Sequence, residues 1–483
     1  MTNYSSSDFE QDNEFQKALA QYEEMKAGNR SIYFDADQLA DFAEYYASLQ
    51  QYDKAFEVIE YALSIHPGNT EVLVIKAHIN IDLKNIQEAK VIAYSIPESY
   101  DRDVKMLKAE LLILEEKLGE AEEILMELIN QEENDNVDNL LDIAYLYTDS
   151  NLPQLALPWF EKAYKMNPEN DEIRIGLVDS YRDCGMIDKG VALYNRLLDI
   201  DPYSAKYWYE LGRLYFTTED INKALDAYEF VLTINSANHS AILMMAHCYF
   251  KLENYEKSCE YYEKYATMVN NSSTAYFYIG FCQYNLKQYD KSIENLKSSL
   301  ELSEGVSPEI VDTYTYLAFC YKEKGMFDDA LLYIERAIKE DPNNAELYVH
   351  KGDILLNGDH KEEAAKAFNT AILMAPDDPR TNIDIGRIYC ENKMYDIGLT
   401  YYKNVELNAP GFDDIYLSMA FAYGAMGNNE QFTDYLIKAT KQDHDKVMDS
   451  LKLMPEKEQE ELKQLIRDLK KAIDEDEGKA EFN

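Results

Sequence analysis

The chain has 483 residues, of which 46% are hydrophobic, enough for several ordinary domains or for one long repetitive array. Asp and Glu number 90 against 47 Lys and Arg, which gives a formal net charge of −43. Because such a surface repels phosphate backbones and anionic lipid, the charge argues against a nucleic-acid partner.

The first predicted element is an amphipathic helix close to the N-terminus. Residues 12–27 place apolar side chains at helical spacing, and Gly28 follows at a position where helices commonly end. The apolar face consists of Phe15, Ala18, Leu19, Tyr22 and Met25. Such a face is suited to covering the open end of a helical array, so we expect residues 1–35 to form a tail and a capping helix.

A pattern of small and apolar residues then returns at intervals of about 34 residues. It consists of an Ala, an apolar residue four positions later, an Ala three beyond that, and a Pro five beyond. The clearest copies are Ala55, Ile59, Ala62 and Pro67; Ala156, Phe160, Ala163 and Pro168; Ala330, Ile334, Ala337 and Pro342; and Ala364, Phe368, Ala371 and Pro376. One preceding segment contains Trp208, Leu211, Gly212 and Tyr215, which spell W-x2-L-G-x2-Y. In these residues the chain resembles the tetratricopeptide repeat (TPR) family.

Alignment on this pattern predicts twelve repeats over residues 36–446. The repeats begin at residues 36, 70, 102, 137, 171, 205, 239, 273, 311, 345, 379 and 413. The resemblance implies an all-α fold in which each repeat is a helix pair and the pairs stack into a right-handed superhelical α-solenoid. We therefore expect one continuous solenoid with a capping helix at each end.

The last predicted element is a second capping segment. Residues 457–473 form an amphipathic helical pattern, and the acidic stretch DEDEGKAEFN follows it. The apolar face of this segment consists of Leu462, Leu465, Ile466, Leu469 and Ile473. We expect residues 447–483 to form C-terminal capping helices and an acidic tail.

Sequence motifs of catalysis do not occur in the chain. It contains no phosphate-binding glycine loop, no HExxH zinc motif and no GxSxG nucleophile elbow. The repeats and caps also leave no separate catalytic domain, so we expect a non-catalytic protein without a metal or cofactor. Cys248, Cys282 and Cys320 share one repeat position, which suggests either a metal or redox ladder or small apolar residues of the helix core; we favour the core.

The candidate site is a group of mostly aromatic residues in the middle of the array. The resemblance implies that repeat positions 2, 5, 6, 9, 12 and 13 line the concave side of the superhelix. At such positions the sixth to ninth repeats carry Tyr209, Arg213, Phe216, His247, Phe250, Phe277, Tyr278, Phe281, Tyr284, Tyr316 and Phe319. Aromatic residues in a groove are typical anchors for a partner, and we expect Arg213 to be available for a carboxylate. Alternatively, the rings pack on one another or on the next helix, and the sequence leaves both readings open.

The functional prediction follows from these positions. Some TPR domains capture the acidic C-termini of chaperones with a Lys at position 5, but position 5 holds no Lys in any repeat of this chain. We predict a non-catalytic scaffold or adaptor that binds a protein or peptide in its concave groove. The main alternative is a TPR regulator that senses a ligand or peptide; an assembly factor at a membrane and an enzyme are more distant readings. The sequence does not specify the oligomeric state.

The cellular location is predicted from the apolar runs and the cysteines. No run of about 18 apolar residues occurs, and the first residues lack the basic and apolar regions of a secretory signal. We therefore expect no membrane anchor. Six cysteines, none of them in a Cys-x-x-Cys pair, are typical of a reducing compartment, so we expect a cytoplasmic protein without a disulfide framework.

Overall fold

The fold was analysed in a computed structural model of the chain. It describes residues 13–28, 32–130, 136–269, 272–303, 307–412, 415–450, 462–464, 466, 467 and 470. Within these residues all regular secondary structure is helical, and the helices follow one another in pairs. The prediction of an all-α repeat array is therefore confirmed. The chain divides into two compact units, Met1–Ala227 and Tyr228–Asn483, which are described in turn.

The first unit contains an N-terminal helix followed by successive helix pairs. Its helices are α1 Asn13–Lys26, α2 Ala36–Ser48, α3 Tyr52–Ile65, α4 Thr70–Asp82, α5 Ile86–Ser95, α6 Arg102–Leu114, α7 Leu118–Asn130, α8 Val137–Asp149, α9 Pro153–Met166, α10 Asp171–Asp183, α11 Ile187–Ile200 and α12 Ala205–Thr217. Helix α13, Ile221–Ile234, contains the boundary between the two units. Helix α1 buries Phe15, Leu19 and Tyr22 in one apolar cluster with Phe42 of α2, as expected of a helix that covers the end of the array.

The second unit continues the same alternation of first and second helices. Its helices are α14 His239–Lys251, α15 Tyr255–Met268, α16 Ser273–Asn285, α17 Tyr289–Leu302, α18 Ile310–Glu323, α19 Phe327–Glu340, α20 Ala345–Asn357, α21 Lys361–Met374, α22 Pro379–Glu391, α23 Tyr395–Asn408, α24 Ile415–Ala425, α25 Asn429–Gln442 and α26 His444–Ser450. The predicted helix over 457–473 lies mostly outside the described residues. Of its apolar face, Ile466 is buried in one cluster with Leu436 and Val447. The division into 1–35, 36–446 and 447–483 remains a prediction.

Side-chain caps begin most of the first helices. The Oδ1 atoms of Asn69 and Asn238 each accept a hydrogen bond, at 3.0 Å, from the backbone N–H three residues later. Ten capping residues of first helices accept a hydrogen bond from the backbone N–H two or three residues later. They are Asp35, Asn69, Asp101, Asn136, Asn170, Ser204, Asn238, Ser272, Asn344 and Asp378. Each cap satisfies an N–H group that has no partner inside the helix. The first helices therefore start at equivalent places, so equivalent repeat positions face the same way.

A tight turn of one type ends the first helices. At three of these turns the N–H groups of Gln51, Asn254 and Met326 donate to the carbonyl five residues earlier, at 2.8 to 2.9 Å, as in a Schellman motif. The residue just before each donor has a positive φ. The positive-φ residues of these turns are Gln50, Lys84, Glu116, Asn151, Gly185, Glu219, Glu253, Lys287, Gly325, Asp359, Lys393 and Gly427. The turn reverses the chain, which lets the second helix pack back on the first.

Glycines bring the two helices of some pairs into close contact. A Cβ atom on Gly352 of α20 would lie 2.3 Å from the ring of Phe368 on α21, and one on Gly280 of α16 would lie 2.6 Å from Leu296 on α17. A side chain at either position would therefore push the helices apart. In the described part of the chain, no helix is both long enough and apolar enough to cross a membrane.

Candidate partner-binding surface

The predicted site residues lie on first helices of both units. Tyr209, Arg213 and Phe216 lie on α12 in the first unit. The remaining eight lie on three successive first helices of the second unit, α14, α16 and α18: His247, Phe250, Phe277, Tyr278, Phe281, Tyr284, Tyr316 and Phe319. The second unit therefore contains most of the candidate site.

The rings on α14, α16 and α18 form one continuous set of contacts. The ring centroid of Phe281 lies 4.9 Å from that of Phe250 and 4.6 Å from that of Tyr316. Tyr278 lies 5.3 Å from Phe250, and Phe319 lies 5.6 Å from Tyr316. The rings are edge-on or tilted to one another, which aromatic pairs favour over a face-to-face arrangement. The sequence left open whether these rings line a groove or pack on one another or on the next helix. In the structure they pack on one another.

Packing does not bury all of these rings. Phe277 is only 5% exposed and belongs to the apolar core cluster that contains Leu296 and Leu317, so its prediction as a groove residue is wrong. Its side chain turns into the core, while Tyr278 beside it stays partly exposed. We call the seven remaining, partly exposed residues the aromatic surface: His247, Phe250, Tyr278, Phe281, Tyr284, Tyr316 and Phe319.

A buried tyrosine supports the aromatic surface from beneath. Tyr262 of α15 is fully buried, and its ring stacks on Tyr278 with 5.0 Å between centroids and 6° between planes. Its hydroxyl lies 2.6 Å from Nδ1 of His247. Burial lowers the pKa of His247, which favours the neutral ring. In the tautomer that carries its proton on Nε2, Nδ1 accepts a hydrogen bond from the Tyr262 hydroxyl. His247 is therefore held in place by a hydrogen bond, and its position in turn fixes Tyr278 through their edge-on contact.

Two further rings extend the aromatic surface and were not predicted. His350 of α20 lies 4.8 Å from Phe319, edge-on, and Tyr255 of α15 lies 6.2 Å from Phe281. His350 occupies repeat position 6 of the next repeat, so the same positional rule, applied one repeat further, finds it. Tyr255 lies on a second helix, where no rule for first-helix positions applies.

Carboxylates border the aromatic surface near the start of α18 and α20. We call Glu309, Asp312 and Glu346 the acidic edge. Burial raises the pKa of Asp312, and the charges of Glu309 and Glu346 raise it further. Burial also raises the pKa of Tyr278, with added contributions from Glu309 and Asp312. Burial is the largest cause of both shifts, and the neighbouring carboxylates add to it because negative charge disfavours further ionisation nearby.

The opposite border of the aromatic surface contains a basic residue. Nζ of Lys322 lies 2.8 Å from a carboxylate oxygen of Asp353 and 3.6 Å from one of Glu323. The same Nζ lies 6.0 Å from the ring centroid of Phe319. Lys322 on this border is thus already paired with carboxylates of the same chain.

Arg213 is already paired within the first unit. Its guanidinium donates to both carboxylate oxygens of Asp179, at 3.0 and 3.3 Å, and its Nε donates to Glu210 at 2.8 Å. The prediction that Arg213 is available to a partner's carboxylate is therefore wrong. Arg213 and Asp179 occupy position 9 of consecutive repeats, so their pairing follows from repeat stacking. Tyr209 and Phe216 are partly buried on the same helix.

The cysteines at the shared repeat position are core residues. Cys248, Cys282 and Cys320 are fully buried. Burial raises the pKa of Cys248 to about 12 and those of Cys282 and Cys320 to about 11, so the thiols stay protonated at neutral pH. Among the described residues, no three His, Cys, Asp or Glu side chains are grouped so that they could hold a metal ion.

Several solved structures are similar to parts of this chain. A tetratricopeptide repeat protein from Parabacteroides merdae is 21% identical, with 52% of this chain and 97% of that chain covered and a TM-score of 0.39. YrrB, described as a TPR protein with an unusual peptide-binding site, is 19% identical, with 39% and 95% covered and a TM-score of 0.34. The APC/C hetero-tetramer Cut9–Hcn1 is 14% identical, with 87% of this chain and 95% of that chain covered and a TM-score of 0.35.

Family-level similarity is clearer than similarity to individual proteins. No curated protein matches the chain in sequence. Three family models, each described as a tetratricopeptide repeat, match the chain at residues 46–111, 148–214 and 321–382, at 205–238 and 239–268, and at 274–302. Together these matches cover more than half of the chain, and they agree with the helix pairs described above. The chain therefore belongs to the tetratricopeptide repeat family.

Proposed function

We propose that this protein is a non-catalytic scaffold or adaptor that binds a protein or peptide partner through the aromatic surface. The observation that carries the proposal is the continuous set of partly exposed rings on α14, α16 and α18. Large aromatic side chains dominate the binding energy of many protein interfaces, and a contiguous group of them forms a natural anchor site. Membership of a repeat family whose proteins generally mediate protein interactions supports the same proposal.

Preorganisation of the rings favours binding. Phe281 contacts Phe250, Tyr255 and Tyr316, and Tyr278 rests on the buried Tyr262. These contacts already restrict the rotamers of the rings, so a partner has little side-chain entropy to remove when it binds.

The proposed location is the cytoplasm. All six cysteines are free, and four of them are buried. A chain with this many unpaired thiols is suited to a reducing compartment.

Affinity capture tests the proposal. Wild-type protein and the double variant Phe281→Ala/Phe319→Ala are used to capture partners from the native cell extract, and the bound proteins are identified by mass spectrometry. We expect the double variant to lose the partners that the wild type retains, because both rings are partly exposed anchors. Phe368→Ala is the control, since it removes a fully buried ring of α21 that packs on Tyr389, and it should leave the partner set of the folded fraction unchanged.

The thermal melt of each variant measures how much of it is folded, so that partner binding by variant and wild type is compared at the same amount of folded protein. A double variant that is folded and retains every partner would contradict the proposed function.

A further inference from the structure

We propose that the segment bound by the aromatic surface is basic as well as apolar, with Lys or Arg side chains placed beside its apolar anchors. This inference rests on the proposed function, because it specifies the chemistry of the partner at the same surface. It is argued from the charges at the acidic edge, from the rings that face them, and from the charge of the whole chain.

The acidic edge lacks basic partners. Glu309 accepts hydrogen bonds from the hydroxyls of Thr274, at 3.3 Å, and Ser307, which add no positive charge. In the part of the chain that the structure describes, neither Glu309 nor Asp312 forms an ion pair with a Lys or Arg. Among the described residues, the one ion-pair partner of Glu346 is His350, whose Nε2 lies 3.4 Å from the Glu346 carboxylate.

Other carboxylates on first helices of the second unit are paired with Lys or Arg. Asp353 pairs with Lys322 at 2.8 Å, and Asp384 pairs with Arg387 at 2.7 Å. Within the described residues, the acidic edge therefore differs from these carboxylates in having no Lys or Arg partner. Negative charge without a Lys or Arg partner attracts positive charge from outside.

The rings beside the acidic edge also lack internal cations. Elsewhere in the second unit, Lys257 lies 4.9 Å from the ring centroid of Tyr249, and Lys264 lies 4.4 Å from that of Tyr261. Among the described residues, no Lys or Arg lies over Tyr278, Phe281 or Tyr316. The exposed parts of these rings are therefore open to a cation supplied by a partner.

A cation bound at the aromatic surface would interact with the rings and with the carboxylates of the acidic edge at once. His350 connects the two geometrically, because its Nε2 lies 3.4 Å from the Glu346 carboxylate and its ring centroid lies 4.8 Å from that of Phe319. Burial raises the pKa of Tyr316 to about 12, and the charges of Asp312 and Glu346 contribute to that shift. An ammonium or guanidinium group over an aromatic face, with a carboxylate beside it, gains cation–π attraction and ion pairing together. An aliphatic stem, as in Lys or Arg, would at the same time cover apolar surface.

The charge of the whole chain favours the same partner. A net charge of −43 attracts a basic segment at long range and raises its association rate at low ionic strength. An acidic peptide would instead be repelled both by the whole chain and by the acidic edge. The aromatic surface and the charge therefore select a segment that combines apolar and basic residues.

Selection from a random library tests this inference without assuming a sequence. Full-length protein is used to select binders from a display library of random 12-residue peptides, and enriched sequences are compared with those from a mock selection. We expect enrichment of Lys and Arg within a few positions of aromatic or aliphatic residues. Peptides enriched in Asp or Glu, or without charge, would overturn the inference.

Affinity measurements on the most enriched peptide locate the effect. The isosteric double variant Asp312→Asn/Glu346→Gln should weaken binding about five- to tenfold, and added salt should reduce the difference between variant and wild type. The control Glu294→Gln/Glu301→Gln also removes two negative charges, but from exposed positions on α17, and it should change affinity less than twofold. Equal affinity of wild type and the acidic-edge variant would also overturn the inference.

The same peptides separate this inference from the proposed function. Phe281→Ala/Phe319→Ala should weaken binding by more than about thirtyfold, as loss of two anchor rings does at other interfaces. Phe281→Leu, which keeps most of the volume, serves if the double variant is unfolded, and it should weaken binding as well. Peptides that depend on these rings but are not basic would leave the proposed function standing and refute the inference. Peptides that bind both ring variants as tightly as wild type would count against the proposed function itself. So would a selection in which no peptide is enriched.

Discussion

Two phenylalanines on one helix play different roles. Phe277 is buried among Leu296 and Leu317, whereas Phe281, one turn later, is partly exposed among other rings. We expect Phe277→Ala to destabilise the second unit by about 3 to 5 kcal/mol because it leaves a cavity in the core. Phe281→Ala should cost only about 1 to 2 kcal/mol because less apolar area is removed from contact.

Urea denaturation followed by circular dichroism measures both changes. Equal losses for the two variants would mean that Phe281 is as much a core residue as Phe277, which would weaken its assignment to the aromatic surface.

A carboxylate in the first unit makes stability depend on pH. Burial raises the pKa of Glu44 from its usual 4.5 to about 7, with a further contribution from Asp41 that His78 partly offsets. The folded state therefore holds a proton that the unfolded state releases at lower pH. This contribution to stability is complete below about pH 4.5 and is lost as the pH rises through about 7.

We expect the melting temperature of Glu44→Gln, relative to wild type, to rise as the pH is raised from 5 to 8. Glu57→Gln is the control, since the hydrogen bond from Lys26 lowers the pKa of Glu57 and its titration lies below this range. A difference between Glu44→Gln and wild type that is constant with pH would show that Glu44 does not titrate as described.

Individual residues mark the limits of the sequence prediction. The resemblance to the TPR family placed Phe277 and Tyr278 on the same side, and only packing against α17 and α18 decides that Phe277 turns inward. Arg213 was predicted to be free because its partner, Asp179, is distant in sequence, although the repeat register places the two side by side. Tyr262, which positions Tyr278 and His247, is on a second helix and outside the set of positions considered.

At the level of helices, the sequence prediction was close. The first helix of the sixth pair begins at Ala205 and that of the seventh at His239, the residues at which the repeats were predicted to begin. This agreement has a physical basis, because a polar cap precedes both helices, Ser204 and Asn238, and fixes where each begins. The turns between helices were not predicted, since most of their positive-φ residues are not glycine.

The turns provide a test at this scale. Gly185 ends α10 with a φ of +72°, and no atom lies within 4 Å of the position a Cβ would take. Gly185→Ala should therefore destabilise the first unit by about 1 kcal/mol through backbone strain alone. Gly119, within helix α7, has equally open surroundings and no positive φ, so Gly119→Ala should stabilise by about 0.5 kcal/mol.

Chemical denaturation of the two variants distinguishes the explanations. If both Gly185→Ala and Gly119→Ala changed the free energy of unfolding in the same direction, backbone strain at Gly185 would not explain the difference between the two positions.

For the whole molecule, charge is the dominant property. A net charge of −43 repels itself within a folded chain, and this repulsion is screened when ionic strength rises. We expect the melting temperature to increase by a few degrees when NaCl is raised from about 20 to about 300 mM, where the screening length falls severalfold. A melting temperature that is constant or falls would mean that favourable ion pairs outweigh the repulsion.

The central claim is that the aromatic surface is where a partner binds, and site-specific photo-crosslinking tests it most directly. A photoreactive phenylalanine analogue replaces Phe281 or Phe319 in the full-length protein inside cells, and in a control it replaces Leu373, which is 81% exposed on the second helix α21. We predict that irradiation links a partner to the protein at both aromatic positions and not at Leu373. Crosslinks at Leu373 alone, or at none of the three positions while partners are still captured, would contradict the account.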